Sequence, residues 1–336
     1  MTVAAGCGPA ASPRSAALVP IGHGLMGPLG MTASVYATGL PNASAIALDR
    51  SGRLWVTTAA YSDHATDALY LVEKAGAIPI KVVADLQTPL GLTWSNDTLY
   101  VSSSGRVDSY GGLQGTRFTV HATVVTFPVG VGEVNNIAQA PDGRLDVGIS
   151  APCDHCTPAS PWSGTIVSFR PDGQGLRVDA TGIRAPFGLA FLPGTSDLIV
   201  TMNQRDDLGG RTPGDWVALV KQGQNWGFPQ CYGQGGARCG AMPKPIAVLE
   251  PHAAVGGLAM VTRRLGSSAG SAALVTEWSL GKVQRVALTT TGGRLTGTVT
   301  PFLTGLKNPL PVAVDADGAV LVGDWKTGVL YRIANS

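Results

Sequence analysis

AIALDRSGRLWV, which begins at Ala45, decides the fold, because its pattern returns five more times along the chain. A short apolar run, a tight turn rich in Asp, Asn and Gly, and a second apolar run together predict a β-hairpin. The later copies are LGLTWSNDTLYV from Leu90, NIAQAPDGRLDV from Asn136, FGLAFLPGTSDLIV from Phe187, GGLAMVTRRLGSSAGSAALV from Gly256 and PVAVDADGAVLV from Pro311.

The spacing of these hairpins predicts the architecture. Successive copies are 45 to 75 residues apart when they are anchored on the second apolar run, at Leu54, Leu99, Leu145, Leu198, Ala273 and Val320. This is the size of a four-stranded propeller blade. The sequence therefore predicts an all-β chain, a six-bladed β-propeller of four-stranded antiparallel blades. A β-sandwich is the alternative, but a sandwich does not repeat a whole hairpin six times.

The two ends of the chain are predicted to meet. After the hairpins and third strands are placed, five outer strands remain for six blades, and the missing one matches SVYATGL from Ser34. We expect it to pair beside the C-terminal VLYRIA and close the last blade, because an open ring leaves unpaired strand edges. Residues 32–336 are then one propeller domain, and residues 1–31 are interpreted as a flexible N-terminal tail.

Composition narrows the function classes. Only 14% of the 336 residues are charged and the formal net charge is +2, without a Lys/Arg run, so nothing favours a nucleic-acid partner. No apolar stretch reaches the roughly 18 residues of a membrane span. The AAGC that ends at Cys7 is similar to the end of a bacterial lipoprotein signal, so a lipid anchor there and a chance run of small residues both stay open.

The cysteines give two local pairs once Cys7 is set aside, CDHC at 153–156 and CYGQGGARC at 231–239. We interpret them as two loop disulfides, and a zinc site or free thiols remain alternatives. Disulfides form in an oxidising compartment. The expected location is extracellular or periplasmic.

One face of the ring carries the candidate functional residues, because the loops that enter the inner strands and those that join second to third strands emerge there together. Residues 203–216, NQRDDLGGRTPGDW, bring Asp206, Asp207 and Asp215 onto a turn-rich loop. Such oxygen ligands suit calcium, and a solvated acidic loop is the alternative. His252 lies on the same face and can serve as a general base.

Several stretches resemble the pyrroloquinoline-quinone (PQQ)-dependent glucose/sorbosone dehydrogenases. They are PDGRLDVG with the C-x-x-C loop after it, RPDGQGLRVDATGIRAPFGLAF, MNQRDDLGGRTPGDWVALVKQGQNWGFPQCYG and EPHAAVGGLAM. The resemblance implies a six-bladed propeller outside the cytoplasm that holds PQQ with calcium over its channel.

The same resemblance assigns roles to particular residues. It implies that Arg184 reaches the quinone oxygens, that Asn203 lies at the cofactor edge, and that Gln204 and Arg205 bind calcium through their carbonyl groups. We add further candidate cofactor contacts on the later blades. These are Trp278, Lys307 and Lys326, the two lysines being the available substitutes for arginines that the family has and this chain lacks.

The sequence also departs from the family pattern. Gly132 and Glu133 stand where the family has its catalytic histidine, just before NNIAQAPDG. Ala185 replaces the asparagine expected after Arg184, and Trp216 the glutamate expected after Asp215. Glu133 can replace the histidine as base if burial raises its pKa.

Three functions follow as hypotheses. The first is PQQ-dependent oxidation of a sugar or other alcohol, with Glu133 or His252 as base and Arg184 polarising the quinone. The second is a non-catalytic or recruited propeller that binds a ligand or partner through a mouth lined by tryptophans. The third is a metal-dependent lactonase or lyase. Its candidate ligands are Glu133, Asn135 and Asn136.

Overall fold

The fold is described by a computed structural model that covers residues 17–62, 64–233 and 239–336. These residues form six sheets, each containing one four-stranded antiparallel blade, and the six blades close into a ring. A short 3-10 helix lies at Gly209–Arg211. The predicted all-β, six-bladed propeller is confirmed.

Three strands precede the first complete blade, and blades one to five each run in chain order from the channel to the rim. The preceding strands are β1 (Val19–Gly22), β2 (Leu25–Gly27) and β3 (Met31–Ala37). Blade one is β4 (Ala43–Leu48), β5 (Leu54–Thr58), β6 (Asp67–Val72) and β7 (Ile80–Leu86), and blade two is β8 (Gly91–Ser95), β9 (Thr98–Ser103), β10 (Arg106–Gly111) and β11 (Val120–Thr126).

The third and fourth blades are interleaved along the chain. Blade three is β12 (Val134–Gln139), β13 (Leu145–Ile149), β14 (Thr165–Phe169) and β15 (Arg177–Thr181). Blade four is β16 (Ala185–Phe191), β17 (Leu198–Asn203), β18 (Gly214–Val220) and, after an extra strand β19 (Gln224–Asn225), β20 (Ala247–Pro251). The extra strand β19 pairs in parallel with β15, so chain from blade four extends the edge of blade three.

Blade five has four strands of its own, β21 (Val255–Val261), β22 (Ala272–Glu277), β23 (Lys282–Thr291) and β24 (Arg294–Thr304). Blade six takes only three strands from the end of the chain, β25 (Pro309–Val314), β26 (Val320–Asp324) and β27 (Val329–Asn335). Its fourth strand is β3, which pairs antiparallel with β27 from Leu330↔Ala37 to Asn335↔Met31. The predicted closure of the last blade is confirmed.

The boundary predicted at residue 31 needs a correction. Strands β1 and β2 form a hairpin that joins the outer edge of blade five, where Met26 pairs with Thr304. Ile21 and Leu25 are buried in a core shared by blades five and six. A few apolar side chains among small residues suffice to cover the outer edge of blade five. Residues 19–27 are therefore part of the domain. Residues 1–16, with the candidate anchor Cys7, lie outside the described residues.

Adjacent blades are joined by hydrogen bonds from short polar side chains to carbonyl groups at the start of the next inner strand. The bonds run from Ser44 Oγ to Pro89 O (2.6 Å), Ser102 Oγ to Asn135 O (2.5 Å), Asn135 Nδ2 to Pro186 O (2.7 Å), Thr201 Oγ1 to Gly256 O (2.8 Å) and Thr276 Oγ1 to Leu310 O (2.8 Å). We call these bonds the interblade staples.

The sixth junction, from blade six to blade one, is made differently. Gly323 occupies the strand position that Thr276 has in blade five, so this position has no hydroxyl group to donate. Backbone bonds replace the staple, from Asn42 N–H to Trp325 O (2.8 Å) and from Leu40 N–H to Gly328 O (3.1 Å).

Both predicted cysteine pairs form disulfides, which sets aside the zinc and free-thiol alternatives. Cys153 is bonded to Cys156 and Cys231 to Cys239, with Cα atoms 5.9 and 5.7 Å apart. In the part of the chain that the structure covers, no helix has the length and hydropathy of a membrane span.

We expect Leu25→Ala to destabilise the fold, because its side chain is only 2% exposed in the core of blades five and six. The expected loss is about 2–5 kcal/mol, measured as the free energy of unfolding in urea. Leu29→Ala is the matched control, since Leu29 is 66% exposed in the same segment. Equal effects of the two changes would contradict the burial of the hairpin.

Thr276→Val tests the staples, because valine keeps the shape of threonine and removes its hydroxyl group. The Leu310 carbonyl then loses its donor inside the ring, which we expect to cost about 1–3 kcal/mol in unfolding free energy. Thr290→Val, at an exposed position of β23, serves as control and should change stability little. An unchanged melting temperature for Thr276→Val would show that the staple contributes nothing.

Candidate functional site

Two cavities adjoin on the face where the inner-strand entry loops and the second-to-third-strand loops emerge. Their volumes are about 560 and 490 Å³, and both are lined by Tyr61, Glu133, Arg184 and Ala185. We treat them together as the upper cavity. Two residues predicted from the sequence, Glu133 and Arg184, therefore lie at its centre.

Arg184 stands just before β16 and is paired with a carboxylate. Its Nη2 donates to Asp154 Oδ1, and the same oxygen lies 3.4 Å from the backbone nitrogen of Asp206. Asp154 is held in the small ring closed by the Cys153–Cys156 disulfide. The disulfide loop thus brings an anion directly onto the guanidinium group.

The upper cavity carries more negative than positive charge. Its lining contains the carboxyl groups of Glu133, Asp154 and Asp206. Among the described residues, Arg184 is the only lysine or arginine that lines it. A trianionic ligand would need more positive charge than this lining supplies, whereas a bound cation would balance it.

Glu133 is exposed to the cavity, but protein atoms surround and partly bury its carboxyl group. This burial raises the pKa of Glu133 above its ordinary value, against the opposing effects of Arg184 and of the Ser150 hydroxyl. Ser150 Oγ lies 3.5 Å from Glu133 Oε2. A carboxyl group with a raised pKa at a cavity wall can exchange a proton with a bound molecule.

Asp215 supports the site from below and does not face it. It is 3% exposed, and its two carboxyl oxygens accept hydrogen bonds from the backbone of Gln204 (2.7 Å) and of Val255 (3.3 Å). Burial raises its pKa to about 7. Asp215 therefore anchors the loop that begins at Asn203, whose own Nδ2 donates to Val255 O (2.9 Å) and which lines the upper cavity.

Arg205 and Asp207 bind each other. Two guanidinium nitrogens of Arg205 lie 2.6 Å from the two carboxyl oxygens of Asp207, and the guanidinium carbon lies 4.6 Å from the ring centre of Tyr232. The Gln204 side chain accepts a bond from the Gly233 backbone (3.2 Å). The side chains of this segment are thus engaged within the loop.

The side chains of the predicted calcium segment do not converge. Within the described ranges there is no group of three His, Cys, Asp or Glu side chains that could hold a metal ion. The carbonyl oxygens of Gln204 and Arg205, however, accept no hydrogen bond from the described residues although both residues are buried. These two oxygens fit the carbonyl ligation that the sequence resemblance implies.

His252 lies at the rim, next to Asp206. Its Nδ1 is 3.0 Å from Asp206 Oδ1, and both side chains are about half exposed. Asp206 lines the upper cavity, so His252 is one residue removed from it. This arrangement suits a contact with solvent or with the outer part of a ligand.

Two indole rings form the opposite wall. The rings of Trp278 and Trp325 are 5.6 Å apart and meet edge to face. Trp325 Nε1 donates to Ala59 O (2.8 Å), and Asn308 Nδ2 donates to Trp278 O (3.0 Å). The Trp325 ring and the Trp278 backbone are therefore held in place, and the paired rings can offer an apolar surface to a ligand.

The two lysines predicted to bind the cofactor flank this wall. The backbone nitrogens of Lys307 and Lys326 donate to buried Asp324 at 2.7 and 3.2 Å. Neither side chain lines the upper cavity in the described structure. Their contact with a cofactor stays a prediction.

The ligand set of the lactonase hypothesis is not assembled. Asn135 is completely buried and donates from Nδ2 to Pro186 O and Ser150 Oγ (2.8 Å), as part of a staple. Asn136 accepts a bond from the Ile137 backbone (2.8 Å). Neither side chain lines the upper cavity beside Glu133.

Sequence reasoning missed two lining residues, Tyr61 and Asp154. Asp154 was visible as the acid inside the CDHC loop, but its contact with Arg184 depends on how blades three and four are placed. Tyr61 adopts a positive φ of 52°, which no sequence pattern around it indicates.

Comparisons with known proteins find the same fold. A scan against protein-family models gives no match, and no curated protein sequence matches. The PQQ domain of pyranose dehydrogenase from Coprinopsis cinerea superposes with a TM-score of 0.74 at 16% identity, covering 98% of this chain and 99% of that chain.

Two further solved structures are similar. The PQQ-bound aldose sugar dehydrogenase from Streptomyces coelicolor gives a TM-score of 0.72 at 20% identity, covering 92% and 99% of the two chains. A calcium structure of a family AA12 carbohydrate-active enzyme from Trichoderma reesei gives 0.75 at 17% identity, covering 96% and 98%. The resemblance stated from the sequence is confirmed at the level of the fold.

Asp154→Asn tests the charge balance around Arg184. If the upper cavity binds PQQ, this change should strengthen that binding by roughly tenfold, since it releases a guanidinium group and a charge-assisted hydrogen bond contributes about 1.5–3 kcal/mol. The measurement is a titration followed by quinone absorbance. Asp172→Asn removes the same charge from an exposed remote pair and should have no effect. Unchanged affinity in Asp154→Asn would mean that Arg184 does not meet the anion.

Proposed function

We propose that this protein is a PQQ-dependent oxidoreductase that oxidises a sugar or another alcohol in the upper cavity. The observation that carries the proposal is the joint placement of Glu133, with its raised pKa, and Arg184 on one cavity. The fold is that of solved sugar dehydrogenases described as PQQ-bound or as a PQQ domain.

The residues present fit this cofactor in a particular way. Arg184 and Asn203 would hold its oxygen atoms, and the Gln204 and Arg205 carbonyl groups would hold calcium. The excess of carboxylates in the lining makes calcium a condition for binding, because the divalent cation supplies the positive charge that the side chains lack. PQQ binding should therefore depend strongly on calcium.

When bound, PQQ supplies a two-electron acceptor, and the chain supplies the rest. The indoles of Trp278 and Trp325 orient the apolar face of a sugar. Glu133 accepts the proton of the substrate hydroxyl group at a carboxyl oxygen, and Arg184 stabilises the negative charge that develops beside it. His252, paired with Asp206 at the rim, can pass protons to solvent.

The proposed location is extracellular or periplasmic. It rests on the two disulfides, which persist in an oxidising compartment. A lipid anchor at Cys7 is part of the same proposal, and the electron acceptor is left open.

A propeller that binds a sugar without oxidising it is the second candidate. It is favoured by the ion pair between Arg184 and Asp154, which occupies the one guanidinium group among the described lining residues. Calorimetric binding of a sugar to protein that takes up no PQQ in calcium would support this candidate and exclude the first.

Glu133→Gln tests the proposed base. With PQQ and calcium, we expect the unmodified chain to reduce a redox dye when an aldose is added, and the variant to lose this activity by a factor of about 100 or more. Its affinity for PQQ should stay within about twofold, because the base acts on the substrate. Glu73→Gln, at an exposed position away from the cavity, is the matched control.

The pH dependence supplies a second readout. A base must be deprotonated, so activity should rise with pH and level off above the raised pKa of Glu133, which places the acid limb above pH 4.5. Full activity in Glu133→Gln, or an acid limb that survives it unchanged, would assign the base to another residue.

A further inference from the structure

A separate cavity of about 380 Å³ lies on the opposite face of the ring, between blades three and four. It is lined by the hairpin turns before Asp146 and Leu198 and by the ends of the third strands, and we call it the lower cavity. The function proposed above makes no use of it.

The base of the lower cavity holds a buried carboxyl group without a partner. Asp146, on β13, is only 7% exposed, and its carboxyl oxygens accept no hydrogen bond from the described residues. Buried carboxylates in proteins are paired or hydrogen-bonded, because an unpaired one loses its hydration without compensation. These oxygens are open to the cavity, so solvent or a bound ligand supplies the donor from that side.

The neighbouring guanidinium groups are already engaged. Arg144 donates to Ser168 Oγ (3.0 Å), Ser168 O (2.9 Å) and Gly175 O (2.7 Å). Arg177 donates to Asp179 Oδ1 (2.8 Å). Lys221, the remaining cation of the lining, is exposed and forms no ion pair with a described acid. None of the three hydrogen-bonds to Asp146.

The other wall of the cavity is apolar. It is formed by Ile166, Leu198, Val220 and the partly buried ring of Phe191. Three further acids, Asp142, Asp179 and Asp197, belong to the lining. Acid at the base, an aromatic ring beside it and an aliphatic wall suit a cation that carries a short apolar stem.

A metal ion does not suit this arrangement. No three acidic or imidazole side chains of the described chain converge closely enough to coordinate one, here or elsewhere. An ammonium group needs fewer ligands, since three N–H donors can be shared between one carboxylate and neighbouring carbonyl or carboxyl oxygens.

We propose that the lower cavity is a binding site for a primary alkylammonium group, whose nitrogen donates to the carboxylate of Asp146 while its aliphatic stem packs on Phe191 and Val220. The class of ligand is a small amine or the amino group of a larger metabolite. The site is independent of the upper cavity.

Protons compete with the amine for Asp146. Burial, and then the charges of Asp179 and Asp142, raise the pKa of Asp146 to about 7, against Arg144 and Arg177. Asp197 and Lys221 face the cavity from blade four. Amine binding should therefore weaken as the pH falls from 8 to 6, because the protonated carboxyl group no longer attracts a cation.

The experiment is calorimetric titration of the full chain with n-butylamine at pH 8, with n-butanol as the neutral analogue. We expect saturable binding of the amine, at least tenfold weaker binding of the alcohol, and at least a tenfold loss in Asp146→Asn. Asp97→Asn, a remote and 88% exposed position, should bind like the unmodified chain.

Three results would overturn the proposal. They are no binding of butylamine to the unmodified chain, equal binding of the alcohol, and undiminished binding to folded Asp146→Asn. If Asp146→Asn does not fold, Asp197→Asn and the pH dependence from 8 to 6 decide, and constant affinity in both would equally reject the site.

Discussion

The hydrogen bond from one blade to the inner strand of the next is the constraint on which the ring depends. This bond requires the backbones of adjacent blades to approach closely, and the inner strands have glycine at points of close approach. A Cβ atom at Gly188 would lie 2.7 Å from Gly256 O, and one at Gly91 would lie 2.3 Å from Ser102 Oγ. Side chains at these two positions would push the blades apart and break the staples. The short distance between the blades therefore requires glycine there.

Three of the staple residues stand at the same position of the sequence repeat. The repeats LYVS, LIVT and ALVT each place a hydroxyl residue three positions after the anchor of the second strand, at Ser102, Thr201 and Thr276. The hairpin period and the N-terminal closing strand could be predicted because they depend on local pattern and on the count of strands. The staple, in contrast, is a contact between blades. Its partner carbonyl group becomes known only when the blades are assembled into the ring.

The candidate site, too, could be predicted from the sequence only in part. Loop order in a propeller determines on which face each loop emerges. The sequence therefore placed four site residues on one face: Glu133, Arg184, Asn203 and Trp278. The role of each acid could not be predicted, because an acidic residue in a turn-rich loop can bind a metal or anchor the backbone. Asp215 anchors the backbone, and Asp67 does the same by accepting bonds from Ala60 (2.8 Å) and Thr88 (3.0 Å).

The junction of blades three and four departs from the hydroxyl pattern of the staples, and the lower cavity lies at this junction. Gly148 stands at the staple position of blade three, and a Cβ there would lie 2.5 Å from Pro186 O, so the amide of Asn135 makes the bond instead. The chain then extends blade three with β19 and carries the Cys231–Cys239 loop before it completes blade four. Asn135 has a longer side chain than serine or threonine and reaches the Pro186 carbonyl from the inner strand of blade three. The junction from blade six to blade one also departs from the repeat, with Gly323 at the staple position, but backbone bonds close it without added segments.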